Sequence, residues 1–112
     1  MMNVITTDKE IIIKKDRGFD KTSSFTWINF ESYNRRIGKA RIFRIGKSLR
    51  INSIIIFPEF ERNGYAQSVI SIFKEQYNVI LADRARNTAK GFWKKMGFVA
   101  DNSGNYIWRK GG

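Results

Sequence analysis

The chain has 112 residues, 42% hydrophobic and 14% aromatic, enough for one packed domain and too few for two. Its 21 Lys and Arg against 10 Asp and Glu leave a formal charge of +11, which draws acidic partners such as nucleic acid, a phosphorylated cofactor or an acidic protein surface. With no Cys and no His, disulfides, thiol nucleophiles, Ser-His-Asp triads and Cys- or His-based metal sites are excluded.

Read in chain order, the first half predicts strands. Asn3 to Thr7 and Glu10 to Lys15 hold β-branched runs, and Asp16, Gly18 and Asp20 break the pattern. Ser24 to Phe30 alternates polar and apolar residues, with Phe25, Trp27 and Ile28 as expected core contacts. Ser32 to Asn34 predicts a turn, Arg36 to Ile45 a strand, and Gly46-Lys47 a tight hairpin. Leu49 to Phe57 is a strand whose Ile54-Ile55-Ile56 run suggests burial on both faces and a central place in an antiparallel meander.

The second half changes period. Ala66, Val69, Ile70, Phe73 and Tyr77 recur at helical spacing, predicting a helix over Tyr65 to Gln76. Asn78 to Ala82 is a short buried strand, and Thr88 to Met96 a second helix with Ala89, Phe92, Trp93 and Met96 on one side, stopped by Gly97. Phe98-Val99 and Tyr106 to Trp108 close as a hairpin around Asp101 to Asn105. The longest apolar run, Ile54 to Pro58, is far below the roughly 18 residues of a membrane span. Met1 to Glu10 has no signal-peptide core, so a cytoplasmic protein is expected, with no membrane partner.

Three segments invite a functional reading. Gly46-Lys47-Ser48 has the tail of a phosphate-binding P-loop, but Arg41 stands where that loop needs Gly and a strand follows instead of a helix. Arg35 to Arg50 holds seven cations and no acid, with Trp27, Phe30, Tyr33 and Phe43 nearby, a pattern that suits either nucleic-acid contact or a solvated sheet edge. Third, Ile54 to Ser68 runs from a buried strand through a Gly loop straight into a helix, a junction that collects unpaired amide donors at a positive helix end.

That third segment resembles the acetyl-CoA signature of the GNAT superfamily of N-acetyltransferases, which runs strand, Pro-Glu-aromatic, then [QR]-x-x-G-x-[GA] opening a helix. Ala89-Lys-Gly-Phe92-Trp93-Lys-Lys-Met-Gly97-Phe98 is similar to the second signature, A-x-x-[FL]-[YW]-x-x-x-G-F. The likeness covers roughly Thr26 to Trp108. It implies an α/β (α+β) fold, a mixed and mostly antiparallel twisted sheet with two main helices, in a single acyl-CoA-binding domain over residues 1–112. It also implies acetyl-CoA as co-substrate and transfer of an acetyl group to an amine.

Carried over by position, the resemblance implies that backbone groups of Ile54 and Ile56 bond the pantetheine arm in a splay beside the central strand. Amides of Arg62, Asn63, Gly64, Tyr65, Ala66 and Gln67 would hold the pyrophosphate, and Arg86, Asn87, Phe92 and Trp93 would line the far side. Three departures stand out. Glu61 replaces the family's Gln or Arg, Trp93 falls where many members carry a Tyr acid, and the two helices that usually follow the first strand have no room between Lys15 and Ser24. For proton transfer the first choices are Glu59 as base, with Glu31 and Asp83 as rivals, and Tyr65 as acid, with Tyr106 as rival. An open acceptor side and a basic surface suit a macromolecular or acidic acceptor. The competing expectation is a binding protein that has lost its chemistry and uses the basic sheet for nucleic acid or an acidic protein. Monomer and homodimer are both left open.

Overall fold

The computed structural model describes residues 2–5, 10–15, 25–84 and 89–111. β1 (Met2–Ile5), β2 (Glu10–Lys15), β3 (Thr26–Ser32), β4 (Arg35–Ile45) and β5 (Ser48–Ile56) pair antiparallel in chain order, the meander that the alternating pattern predicts. A 3-10 turn at Pro58–Phe60 leads to α1 (Tyr65–Gln76), which returns the chain so that β6 (Val79–Ala82) lies parallel to β5. α2 (Lys90–Lys95) then precedes the hairpin of β7 (Val99–Ala100) and β8 (Tyr106–Arg109). Among the described residues one eight-stranded sheet results, ordered β1-β2-β3-β4-β5-β6-β8-β7, mixed but mostly antiparallel, with two α-helices as expected. Among the described residues no helix is long and apolar enough to cross a membrane.

Side-chain alternation puts the core on one face of this sheet. Ile28 and Phe30, Ala40 and Ile42, Leu49 and Ile51, and Ile80 are all buried there. α1 lays Val69, Ile70, Ile72 and Phe73 over them, the Phe73 ring 6.4 Å from that of Phe30. α2 lies on the same side. Lys74 of α1 donates to the carbonyl of Met96 at the end of α2, and its ammonium sits 5.3 Å from the Trp108 ring and 5.8 Å from that of Phe98. Burial lowers the pKa of this amine from its ordinary value.

The parity of β3 corrects one expectation. Phe25 and Trp27 were expected in the core with Ile28, but only Ile28 is buried, alongside Phe30 and Ser32, while Trp27 is half-buried on the opposite face. Alternation allows one set only, and the register gives the core to Ile28 and Phe30. The isoleucine run is corrected likewise. β5 is central, with β4 on one side and β6 on the other, but Ile54 and Ile56 are half-buried and Ile55 is 40% exposed. No helix among the described residues covers the face to which Ile55 belongs. Element ends shift by a few residues: α2 begins at Lys90 and β7 at Val99. The Gly46-Lys47 turn joins two strands, which disposes of the P-loop reading. Thr7, the breakers Asp16, Gly18 and Asp20, Ser24 and Thr88 lie outside the described residues.

Candidate functional site

β5 is bonded on both sides for only part of its length. β6 accompanies it from Ser48 to Ile51, and the last bond runs from the Asp83 amide to the Ile51 carbonyl at 2.9 Å. Beyond that vertex, from Asn52 to Ile56, β5 keeps β4 as its neighbour and its other edge meets no strand among the described residues, over about 15 Å at the usual rise. The cause is local. Arg41 faces Ser53 and Ile42 faces Ile51, so Asn52 is an extra residue, a bulge that bends the strand away from β6. Arg41 secures it with a 3.2 Å bond from its guanidinium to the Asn52 Oδ1.

The polarity of the open edge follows from peptide geometry. The Phe57 amide donates to the Ile37 carbonyl at 2.9 Å, so the Ile56 carbonyl on the same trans peptide points away from β4. The Ile55 carbonyl abuts Gly38 of β4 so closely that a Cβ on Gly38 would lie 2.2 Å from it, hence the Ile56 amide points away as well. Ile56 therefore offers a donor and an acceptor to the open edge, and Ile54 does the same by alternation. The resemblance implies bonds from the backbone of these same two residues to a pantetheine arm.

The edge leads into the loop before α1. Gly64 is the N-cap at φ 78°, a left-handed conformation, and no side chain caps the helix. The first-turn amides of Tyr65, Ala66 and Gln67 have no acceptor within the helix. Arg62 is also left-handed at φ 64°, and the Asn63 side chain donates to the carbonyls of Phe60 and Glu61 at 3.2 and 3.1 Å, which shapes the turn. Glu61, Arg62 and Gln67 are exposed. Glu61 and Arg62 set one carboxylate beside one cation at the loop, so neither sign dominates there.

Glu59 is exposed in the 3-10 turn at the far end of the open edge. Tyr65 is half-buried, its ring 6.3 Å from that of Phe60 in an edge-on contact. Glu31 lies on β3, two strands from β5, and is ion-paired with Lys14 at 3.2 Å. Tyr106 is buried opposite Ala82. Trp93 is 4% exposed, enclosed by Phe92 at 5.1 Å and Phe98 at 4.9 Å, so its ring packs the core. Arg86 and Asn87 lie outside the described residues.

The sequence missed the polar cluster at the vertex. Asp83 accepts from Arg50 Nε at 2.9 Å, and Asn105 Oδ1 accepts from the Arg84 amide at 2.8 Å. With Asn52 and Ser103 they line a hollow of about 500 Å³ where β5 and β6 part. Asn52-Ser53, a polar pair inside an apolar strand, was the signal available for the bulge. Asp101 closes the β7–β8 loop below the hollow. It accepts the amides of Ser103 at 2.8 Å and Asn105 at 3.0 Å, which hold its pKa below the ordinary 3.8.

No protein-family model matches this chain, and no curated protein sequence matches it. Solved structures do match. The N-acetyltransferase YlbP of Bacillus subtilis, in complex with coenzyme A, is 15% identical with a TM-score of 0.61 over 75% of this chain and 68% of that one. A Bacillus subtilis acetyltransferase in complex with CoA is 9% identical, TM-score 0.60, over 88% and 98%. A GNAT family acetyltransferase from Elizabethkingia anophelis with acetyl-CoA bound is 15% identical, TM-score 0.58, over 88% and 97%. The chain is similar to these proteins in architecture over three quarters or more of its length. It has the GNAT acetyltransferase fold.

Proposed function

We propose that this protein is an acetyl-CoA-dependent N-acyltransferase whose co-substrate lies along the open edge of β5. The observation that carries the reading is the edge itself: Ile54 and Ile56 turn backbone groups away from β4 toward an edge that no strand among the described residues covers, and it ends in a loop whose left-handed Gly64 carries no side chain over the start of α1. An extended amide-bearing arm fits the edge as an added strand, and phosphates suit the amides from Arg62 to Gln67. Bound acetyl-CoA supplies an activated thioester, from which the acetyl group passes to an amine as a C–N bond forms, the C–S bond breaks and CoA leaves as its thiol.

The residues around the edge have separate tasks. Two carboxylates border it, Glu59 at one end and Asp83 at the vertex, and one of them takes the amine proton through water. Tyr65, the first residue of α1, is the acid of this reading and returns a proton to the departing sulfur. Arg50 holds Asp83 in place across the vertex. The acceptor enters from the sheet face that carries no helix among the described residues, where a macromolecule meets little obstruction. The whole chain serves as one acyl-CoA-binding domain.

Backbone amide shifts in an NMR titration with acetyl-CoA test the site directly. The largest changes are expected at Ile54, Ile56 and Gly64 to Gln67, and the absence of change there would overturn the assignment. Glu59→Gln and Asp83→Asn then separate the two carboxylates: the base is the one whose loss lowers kcat and leaves acetyl-CoA affinity unchanged.

A further inference from the structure

β4 sorts its cations between the two faces of the sheet. Arg35 lies 4.6 Å from the Phe60 ring and Arg44 lines a hollow beside Phe73 and Tyr77, both on the helix side. Arg36, Lys39 and Arg41 lie on the other face, and each sits over an aromatic ring. Arg36 is 5.3 Å from Phe57, Lys39 is 4.9 Å from Trp27, and Arg41 is 4.6 Å from Phe25, which in turn meets Phe43 at 5.8 Å. Arg50, opposite Phe43 in the register, carries the row to the vertex of the splay. The carboxylates bordering the row among the described residues, Glu31 and Asp83, are both ion-paired, with Lys14 and Arg50.

We infer that this face is a docking platform for single-stranded nucleic acid. Charge complementarity selects a polyanion, because cations alternate with rings and the chain as a whole carries +11. The rings choose among polyanions. Unpaired bases offer flat faces that stack on Trp27, Phe25 or a guanidinium, whereas a duplex keeps its bases stacked on each other and an acidic peptide has none. Phosphates meet Arg36, Lys39 and Arg50 while the bases lie on the rings between them. A strand lying along the row ends at the open edge of β5, which makes an amine on that strand, or on a protein bound to it, the acceptor class. That last link rests on the acyl-transfer reading; the binding itself does not.

Fluorescence anisotropy with labelled oligouridine and oligothymidine of about 12 nucleotides, a length within the usual span of such platforms, tests it. Single strands are expected to bind more tightly than a duplex of equal length, with log affinity falling against log salt by about 0.7 per phosphate contacted. The two oligomers distinguish RNA from DNA as the source. Arg36→Gln with Lys39→Gln should weaken binding by about tenfold or more, and Trp27→Ala should weaken it too, giving a second reading if the pair disturbs the fold. Arg44→Gln removes one charge from the same strand on the helix side and should change affinity by less than about twofold. Equal damage from Arg44→Gln would reduce the effect to net charge and overturn the platform. So would a duplex bound as tightly, displacement by polyglutamate at equal charge, or no binding at low salt. Acetyl-CoA titrated into the Arg36 and Lys39 variant should bind as to the parent, so failure of the platform and failure of the acyl-transfer reading are told apart.

Discussion

The two halves of β5 are built from similar residues and behave differently. From Ser48 to Ile51 the strand has a partner on each side, and Leu49 and Ile51 are buried under the helices. From Asn52 to Ile56 it keeps one strand partner among the described residues, its isoleucines are half-buried or exposed, and it leads into the loop that starts α1. A single inserted residue, Asn52, separates the two regimes. A central strand can hold the sheet together at one end and leave its polar backbone available at the other, provided that a bulge divides it.

The first way to break that contrast is to disturb what pins the open half to β4. Gly38→Val should be the most damaging change, because even a Cβ there would lie 2.2 Å from the Ile55 carbonyl and 3.1 Å from Ile56. Separating the strands should cost more than about 3 kcal/mol and leave no cooperative melt by circular dichroism. The next largest effect sharpens the difference between the halves. Ile51→Ala should lower stability by about 2–5 kcal/mol in urea unfolding, and Ile55→Ala, two-fifths exposed, by less than about 1 kcal/mol.

Gly64→Asn probes function with little cost to the fold, since Asn tolerates the left-handed conformation that Gly64 adopts. Its side chain would stand over the first turn of α1, so acetyl-CoA affinity should fall about tenfold or more while the melt stays within a few degrees. The smallest effect concerns pH. The backbone bonds to Asp101 lower its pKa below 3.8, so the stabilisation that they give is complete above that value and is lost as pH falls through the lowered one. Asp101→Asn should flatten this acid limb of the melting profile and leave the neutral one nearly unchanged.

What could be read in the sequence followed from period and punctuation. The helical recurrence of Val69, Ile70 and Phe73 and the Gly64 break marked α1 and its loop, and the alternating first half marked the meander. Parity was harder. Trp27 and Ile28 are adjacent, and which of them faces the core is decided by register with Ala40 and Arg41 across the strand gap. The local pattern carries part of that information, since Asn29 and Glu31 share the face of Trp27 and Phe30 shares that of Ile28. Arg36 and Arg44 each open an identical Arg-Ile-Gly-Lys stretch, yet they lie on opposite faces, because Ile37 is an extra residue opposite the Phe30–Glu31 step and shifts the parity of β4 by one. The ion pair of Arg50 with Asp83 joins residues far apart in the chain, so only the parallel pairing of β5 with β6 brings it into view.

The most direct test of the acyl-CoA site is calorimetric titration of acetyl-CoA into the parent, Ile56→Pro and Ile56→Ala. The Ile56 amide points to the open edge and gives β4 no bond, so proline there removes one donor from the edge and none from the sheet. Binding to the parent and to Ile56→Ala is expected, with Ile56→Pro weaker by about tenfold or more. Equal affinity of all three, or no heat with any of them, would contradict a co-substrate held along the free edge of β5.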